Sequence, residues 1–465
     1  MTSRAKNKQK ILILGLGRYA TGSGVSAALY FAKKGEEVIV TDAFPANEVK
    51  DNVVQLKKFK NVKFHLGGLS LKDVEWADII AKNPGVRRND PMYIHAKKLG
   101  KPIINDVSIF FEKCPCKTIG ITGTRGKSTT TAWIGDMLKR SGKKVYVGGN
   151  ITVSPLTFLL KLKKTDIAVI ELSSWMLETC GEVGISPNIA VWTNVMRDHL
   201  NTYDGIEDYA EAKAQIMRHQ KPSDVFIPNL DDKLISGYVY EAPSVVKGFS
   251  YKKKVKSSAW ISKNKIVIKD GKKITEVISI NNIGLSGKHN IKNALAAIVA
   301  AKEAGATLRG IRESLAKFTG MPYRQEIIAT KNGITFVNDT TSTTPDAASA
   351  AIERFADKNR TLHWICGGAE KDLPYDDLAT LVALHSSNID IQVLDGTAYK
   401  RFASAMKKRG IQYTKNESLK SAFNNCLSKA KKGDIILLSP ACASFGLFKN
   451  EFDRGDQFNE LVKKH

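Results

Sequence analysis

Between Thr118 and Arg140 the chain passes from a short apolar run, through a glycine-rich hexapeptide, into a helical stretch. Few folded arrangements accommodate that order. Thr118 to Ile121 reads as a buried strand. Gly123-Thr-Arg-Gly-Lys-Ser128 follows, and a helix is expected from about Thr129 to Arg140. A glycine-rich turn here exposes backbone N–H groups at a helix N-terminus, where the dipole favours phosphate. Lys127 can reach β- and γ-phosphates, and the Ser128 hydroxyl can hold Mg²⁺. The spacing is not the general P-loop, which needs glycine where Ile121 stands; it is the shorter Gly-Thr-x-Gly-Lys-Ser. A plain strand–turn–helix with a solvated lysine is the bland alternative, and it leaves Gly-Lys-Ser-Thr unexplained.

A chain of 465 residues is too long for a single core and implies several domains. With 43% hydrophobic and 25% charged residues it has the composition of a soluble globular protein. No apolar run approaches the roughly 20 residues that span a bilayer, so no membrane span is expected. The first residues are basic and run straight into a short strand, without the apolar segment of a signal peptide, which points to the cytoplasm. The six cysteines are scattered, and Cys114-Pro-Cys116 is too tight for usual zinc spacing. Reduced thiols are expected. The net charge of +25 raises nucleic acid as a partner. The lysines are nevertheless spread along the chain, without an aromatic-interleaved stripe, so no nucleic-acid partner is expected. A polyanionic small substrate and a lysine-rich proteome together account for the charge as well.

Strands and helices alternate nearly throughout, which predicts an α/β protein with mostly parallel sheets. The first unit opens with Ile11 to Leu14 and Gly15-Leu-Gly17, then a helix near Gly24 to Lys34 and a strand from Glu37 that ends at Asp42. This is a passable dinucleotide fingerprint, with a long loop from Tyr19 to Gly24. Ala77 to Ala81 reads as a further strand leading into Asn83-Pro-Gly-Val86, and Lys101 to Glu112 as a last strand and a connector. In the second unit, Asp166 to Ile170 is a buried strand ending in Glu171, and Asn188 to Asn194 another, ending near Asp198-His199. An insert from about Pro243 to Ile280 alternates polar and apolar residues, as a small antiparallel patch does. The third unit follows Gly320-Met-Pro-Tyr-Arg324, with strands at 334–338, 361–366, 391–394 and 434–438.

Glu171 directly follows an apolar strand, as an acidic Mg²⁺ ligand often does in an ATPase. His199 is a further candidate ligand, and Lys213 falls on a predicted helix. Singly, a helix cap, a loop histidine and a surface lysine explain them. Their order behind a phosphate loop is what draws attention.

Taken together, Gly123-Thr-Arg-Gly-Lys-Ser-Thr129, Gly148-Gly-Asn150, Glu171-Leu-Ser-Ser174, Asp198-His199, Ala212-Lys213 and Gly287-Lys-His-Asn290 with Asn293 resemble the Mur ligases. So do Pro322-Tyr-Arg324, Asn338-Asp339, Gly367-Gly368 with Lys371, and Ser439-Pro-Ala-Cys-Ala-Ser444. The motifs keep the family's order over essentially the whole chain. The ending, with Phe448-Lys-Asn450 and Arg454-Gly455, resembles the glutamate-adding branch.

The resemblance implies three domains. A Rossmann-like UDP-substrate domain is expected over residues 1–105, a central P-loop-type ATPase domain over 106–320, and a Rossmann-like amino-acid domain that closes over the site over 321–465. It implies an ATP-dependent, ADP-forming amide ligase of peptidoglycan precursor synthesis. ATP would phosphorylate the carboxylate of UDP-N-acetylmuramoyl-L-alanine, and the amine of glutamate would displace phosphate. The implied ATP contacts are Gly123, Thr124, Arg125, Gly126, Lys127, Ser128, Thr129, Thr130, Asn290, Asn293, Arg324 and Asp339. Ser128 and Glu171 would hold one Mg²⁺, and His199 and Lys213 a second. Because an ammonium has no acceptor for a cation, the resemblance implies a carbamylated Lys213. Arg18, Asp42, Gly85, Asn150 and His199 match the UDP-substrate positions, and Thr343, Lys371, Ser444 and Phe452 the amino-acid pocket. A monomer acting on small molecules is expected.

Two departures stand out. Arg125 replaces the family's usual Asn. In Asn338-Asp-Thr-Thr-Ser-Thr-Thr-Pro345, Thr341 stands where a lysine is expected, so one cation facing the amino acid is missing. D-glutamate is the expected substrate, with L-glutamate, as in a divergent branch, the alternative. A folylpolyglutamate synthase-like ligase is a further alternative, but it has no Gly15-x-Gly17…Asp42 unit in front of its phosphate loop.

Overall fold

The computed structural model describes residues 8–150, 153–198, 202–285, 287–370, 373–444 and 446–465. It contains three α/β domains, each built on its own mostly parallel sheet. By compactness the chain divides into a unit ending at Phe318, which holds the first two sheets, and a unit from Thr319 to His465.

The first sheet uses β1 (Lys10–Leu14), β2 (Glu37–Asp42), β3 (Val62–Leu66), β4 (Ile79–Lys82) and β5 (Ile103–Ile104), in the order β3-β2-β1-β4-β5. All neighbours are parallel. Helices on both faces bury β1, so four successive apolar residues are needed there. The helix Ser23–Lys33 packs tightly on the β1 turn. A Cβ on Gly24 would sit 2.1 Å from the carbonyl oxygen of Gly15. The stretch from Lys101 differs from expectation. Only Ile103–Ile104 is strand, and Asp106–Lys113 is a helix rather than a loose connector. Asn105 and Ser108 close a reciprocal capping box that starts it.

The second sheet uses β6 (Lys117–Thr122), β7 (Val145–Gly149), β8 (Ile167–Glu171), β9 (Ile189–Trp192), β10 (Val225–Pro228) and β11 (Val245–Val246), in the order β11-β10-β9-β6-β8-β7. β6 is therefore central, with β8 and β9 on either side. An antiparallel meander of β13 (Ser257–Ser262), β14 (Lys265–Asp270) and β15 (Lys273–Ser279), joined by β12 (Gly248–Phe249), makes a third sheet. Its apolar face, with Ala259, Ile266, Ile268 and Val277, shares a core with the alanine-rich helix Lys288–Glu303. That helix is apolar nearly all round because it lies between two sheets.

The first two domains are tied together by specific bonds. The Ser154 N–H donates to the Thr21 carbonyl at 2.8 Å, and Asn105 donates to the Met176 carbonyl at 3.0 Å. Arg88, just after β4, forks onto Asp208 at 2.7 and 3.3 Å, in the first turn of the helix Ile206–Arg218.

The C-terminal unit carries β16 (Glu326–Lys331), β17 (Ile334–Asn338), β18 (Leu362–Cys366), β19 (Ile389–Leu394), β20 (Thr414–Asn416) and β21 (Ile435–Leu438), in the order β16-β17-β21-β18-β19-β20. Only β16 runs antiparallel to its neighbour. Among the described residues, no helix is long and apolar enough to cross a membrane.

Candidate active site

The helix behind the phosphate loop starts at Lys127, two residues earlier than the pattern suggests. Its N-cap is Gly126 at φ +78, and a Cβ there would lie 2.3 Å from Asn293 Oδ1. Only glycine fits both the left-handed backbone and that approach. Asn293 in turn donates to Asn290 at 3.4 Å, so this pair backs the loop.

The strand β9 ends at Trp192, short of Asn194, because Thr193 and Asn194 serve the phosphate loop instead. Asn194 Oδ1 accepts from the Arg125 N–H at 2.8 Å and its carbonyl accepts from the Thr124 N–H at 3.0 Å. Thr193 Oγ1 and Asn194 Nδ2 donate to the Arg125 carbonyl at 2.8 and 3.0 Å. Neither residue stood out in the sequence. Their one signal is position, at the C-terminal end of a strand beside a phosphate loop.

Two lysines meet at one carbonyl. Lys127 Nζ lies 3.0 Å from Gly123 O and 3.1 Å from Thr124 O. Lys213 Nζ, from the helix Ile206–Arg218, lies 3.1 Å from the same Gly123 O and 4.3 Å from the centre of the Tyr209 ring. Lys213 is only 1% exposed. Burial, then the charge of Lys127, hold its amine well below the usual lysine range, against the opposing pull of Asp198 and Glu171.

Glu171 ends β8, level with Ile121 of β6 and so one strand away from the loop. Its Oε1 accepts from Asn150 Nδ2 at 3.0 Å, which joins a residue expected to hold metal to one expected to hold substrate. Its Oε2 is buried without a hydrogen-bond partner. An unmet buried carboxylate oxygen is costly unless a cation or donor faces it. The set of Ser128 hydroxyl and Glu171 carboxylate fits a hard oxygen-seeking cation such as Mg²⁺. Among the described residues, no group of three or more His, Cys, Asp or Glu side chains could hold a metal. His199 lies outside the described residues. Thr130 is fully buried on the helix behind the loop.

At the rim of the first sheet, Asp42 does structural work. One of its oxygens accepts from the N–H groups of Leu16 and Gly17 at 2.7 and 3.0 Å, and the other from Phe44 at 2.9 Å. Arg18 stacks on the Phe44 ring with its guanidinium 4.0 Å from the centroid and pairs with Glu48. The N–H of Gly85 is bonded to Asn83 Oδ1 at 2.9 Å.

In the C-terminal unit, Arg324 sits between two left-handed residues, Tyr323 at φ +62 and Gln325 at φ +48. The Thr341 hydroxyl donates to the Tyr323 carbonyl at 2.9 Å, so the residue that replaces the expected lysine braces this turn. Asp339 accepts from Gln325 N–H at 3.0 Å and from the Ser439 hydroxyl at 2.8 Å. Burial nevertheless pushes its carboxyl up to about 7, against the pull of Ser439 and of the Arg324 charge. Ser444 is buried, Phe452 packs edge-on against Tyr323 at 5.7 Å, and the Thr343 N–H is bonded to the Thr341 carbonyl at 3.0 Å. Lys371 lies outside the described residues.

Arg454 was legible only as part of a motif. It is fully buried, and its guanidinium donates to Thr340 Oγ1 and O at 3.0 and 2.9 Å, and to the carbonyls of Cys442 and Ala443 at 3.4 and 3.3 Å. It therefore clamps the Ser439–Ser444 loop to the Thr340 turn.

Three family patterns match in order: "Mur ligase MurD-like, N-terminal domain" over residues 9–105, "Mur ligase middle domain" over 121–301, and "Mur ligase, glutamate ligase domain" over 323–442. The chain is 33% identical to a UDP-N-acetylmuramoylalanine–D-glutamate ligase of Acetivibrio thermocellus, covering 99% of this chain and 97% of that protein. It is 34% identical to the ligase of the same name from a Roseiflexus species, covering 98% of each. Among solved structures, the UDP-N-acetylmuramate-alanine ligase of Thermotoga maritima shares the fold, with a TM-score of 0.61, 21% identity and coverage of 98% and 99%. A pseudomurein peptide ligase of Methanothermus fervidus does so at 0.55, with 20% identity and coverage of 98% and 100%. With the identity to its relatives sustained from end to end and all three domain patterns in place, the chain belongs to the Mur ligase family of ATP-dependent ligases.

Proposed function

We propose that this protein joins D-glutamate to UDP-N-acetylmuramoyl-L-alanine, in the cytoplasm, with ATP supplying an acyl phosphate. A carboxylate resists attack by an amine because its charge must first be masked. Phosphorylation masks it and provides a leaving group, which leaves positioning and charge neutralisation to the protein. Lys127 neutralises the transferring phosphoryl group from a loop whose backbone Thr193 and Asn194 hold in place. Asn290 and Asn293 face the nucleotide from the helix Lys288–Glu303. Ser128 and Glu171 would hold Mg²⁺, which would supply positive charge to offset that of the phosphates.

Lys213 has a further role in this reading. Burial holds its amine well below the usual lysine range, which favours the neutral form, the one that reacts with CO₂. The carbamate would turn the lysine into an oxygen donor for a second Mg²⁺, for which His199 is the other expected ligand. In the first domain, Arg18, Asp42 and Gly85 shape the uridine end; in the central domain, Asn150 serves the diphosphate end. In the C-terminal unit, Arg324 and Asp339 serve the nucleotide, and Thr343, Lys371, Ser444 and Phe452 the glutamate.

The observation that carries the proposal is the pairing of Lys127 and Lys213 on one carbonyl beside an unmet carboxylate oxygen of Glu171. The test is to incubate the protein with ATP, Mg²⁺, UDP-N-acetylmuramoyl-L-alanine and, separately, D- and L-glutamate, following phosphate release and product mass. Amide product with D-glutamate is expected. A tenfold higher kcat/KM with L-glutamate, about 1.4 kcal/mol in transition-state binding, would move the assignment to the other enantiomer. Absence of product with either would overturn it.

A further inference from the structure

Cys114-Pro115-Cys116 takes no part in ligation, yet its two thiols are placed for chemistry of their own. Cys114 ends the helix Asp106–Lys113, with its N–H bonded to the Phe110 carbonyl at 2.8 Å. Cys116 immediately precedes β6, the strand that leads into the phosphate loop. Pro115 fixes the link between them. The two Sγ atoms lie 3.5 Å apart, in hydrogen-bond contact, and Cys114 Sγ is 3.6 Å from the Cys116 carbonyl oxygen. Cys114 is half-buried, whereas Cys116 is 7% exposed. The other four cysteines are sealed in the core: Cys180, Cys366 and Cys426 at 0% and Cys442 at 1% exposure.

We propose that Cys114 and Cys116 form a thiol–disulfide exchange site for small disulfides of the glutathione class. Cys114 attacks and Cys116 resolves. The Cys114 thiolate forms a bond to one sulfur of the small disulfide. The S–S bond of that disulfide breaks, and one small thiolate leaves and takes up a proton. Cys116 then loses its proton and attacks the Cys114 sulfur, expelling the second small thiol. Two protein thiols are oxidised to one disulfide, and the small disulfide is reduced to two thiols.

The division of roles follows from access and hydrogen bonding. Cys114 is the more exposed thiol, and the neighbouring Cys116 thiol can donate to its thiolate. That donation holds Cys114 below the usual thiol range, while the same contact and burial push Cys116 up. Closure asks the sulfurs to approach by about 1.5 Å, from contact to a bond of about 2.05 Å. The bland reading is two thiols filling the end of a sheet, and it predicts neither selective attack nor linked oxidation.

The test uses the full chain at a series of reduced-to-oxidised glutathione ratios, with alkylation and mass spectrometry of the peptide holding both cysteines. Wild type should lose two hydrogens there, with both thiols escaping alkylation together. Cys116→Ser should carry one glutathione on Cys114, and Cys114→Ser should leave Cys116 unmodified. Toward an aromatic disulfide, Cys114 should react about tenfold or more faster than any other cysteine in the native chain. The proposal fails if both thiols stay alkylatable at every ratio. It fails equally if wild type stops at a glutathione adduct on Cys114, or if folded Cys116→Ser acquires none.

Discussion

The amine of Lys213 and the carbonyl oxygen of Gly123 are 3.1 Å apart, although 90 residues separate them along the chain. The bond anchors the helix Ile206–Arg218 to the phosphate loop. It also brings a buried lysine to a place where a second cation, Lys127, discourages its charge.

Lys213→Arg should therefore be nearly inactive. Guanidinium stays charged and forms no carbamate. Lys213→Ala should be equally poor but should regain part of its rate with added short-chain carboxylic acids, which can supply the missing oxygen. Steady-state turnover with and without acetate or formate checks this. Near-normal turnover of the arginine variant would show that a fixed positive charge is enough.

Lys127→Ala should lose about 10²–10³ in kcat, the usual cost of removing a donor aimed at transition-state charge. Its unfolding midpoint should stay near wild type, because the two Lys127 bonds described above go to carbonyls of its own loop. Retention of more than about a tenth of the wild-type rate at saturating ATP would remove Lys127 from the mechanism.

Asp42→Ala should act on substrate binding before chemistry. Three backbone N–H groups lose their acceptor; that of Leu16 is buried, and a buried group left unmet costs about 1–3 kcal/mol. The expected result is a lower melting temperature and a raised KM for the UDP substrate at nearly unchanged kcat. A fall in kcat alone, with KM unmoved, would contradict a role in shaping that loop.

Asp339 predicts a pH dependence. Its carboxyl titrates near 7 in the folded chain against 3.8 for the ordinary group, so the folded state binds its proton more tightly than the unfolded state. Between those values the unfolded chain holds fewer protons, and stability falls as pH rises. Above about 7 the contribution is level. Melting of the C-terminal unit should show this slope in wild type and lose it in Asp339→Asn. An unchanged slope in the variant would assign it to other groups.

Arg454→Met should destabilise the C-terminal unit by about 3 kcal/mol, because a buried residue of similar length leaves several carbonyls without donors. Burial holds this guanidinium down to about 10, so it stays charged at neutral pH and its hydrogen bonds remain charge-assisted. Chemical denaturation of the wild type and variant gives the difference directly.

What could be read from the sequence, and what could not, divides by the range of the interaction. The phosphate loop was legible because glycine, lysine and serine state their chemistry within six positions. Glu171 was legible because it ends an apolar run. Thr193 and Asn194 were not, since their importance comes from a parallel neighbour about 70 residues away. The bond from Arg88 to Asp208 crosses 120 residues and leaves no local pattern. The helix Asp106–Lys113 hid behind a short strand, because its start is marked only by the Asn105–Ser108 capping box. Thr341 was legible as a missing lysine, but its bond to the Tyr323 carbonyl belongs to the folded turn alone.

The central place of β6 has a consequence for how the protein comes off the ribosome. Every strand of the first sheet has left by Ile104, so that sheet has all its partners early. β6 emerges next but waits for β8 and β9, and the loop's own supports arrive only with Thr193 and Asn194. At synthesis rates of about 5–20 residues per second, the nascent chain spends several seconds with a finished first domain and an unpaired apolar strand beside it. Capacity for ATP is thus a late acquisition, and a chaperone that recognises bare strands would meet this chain in that interval, before the nucleotide does.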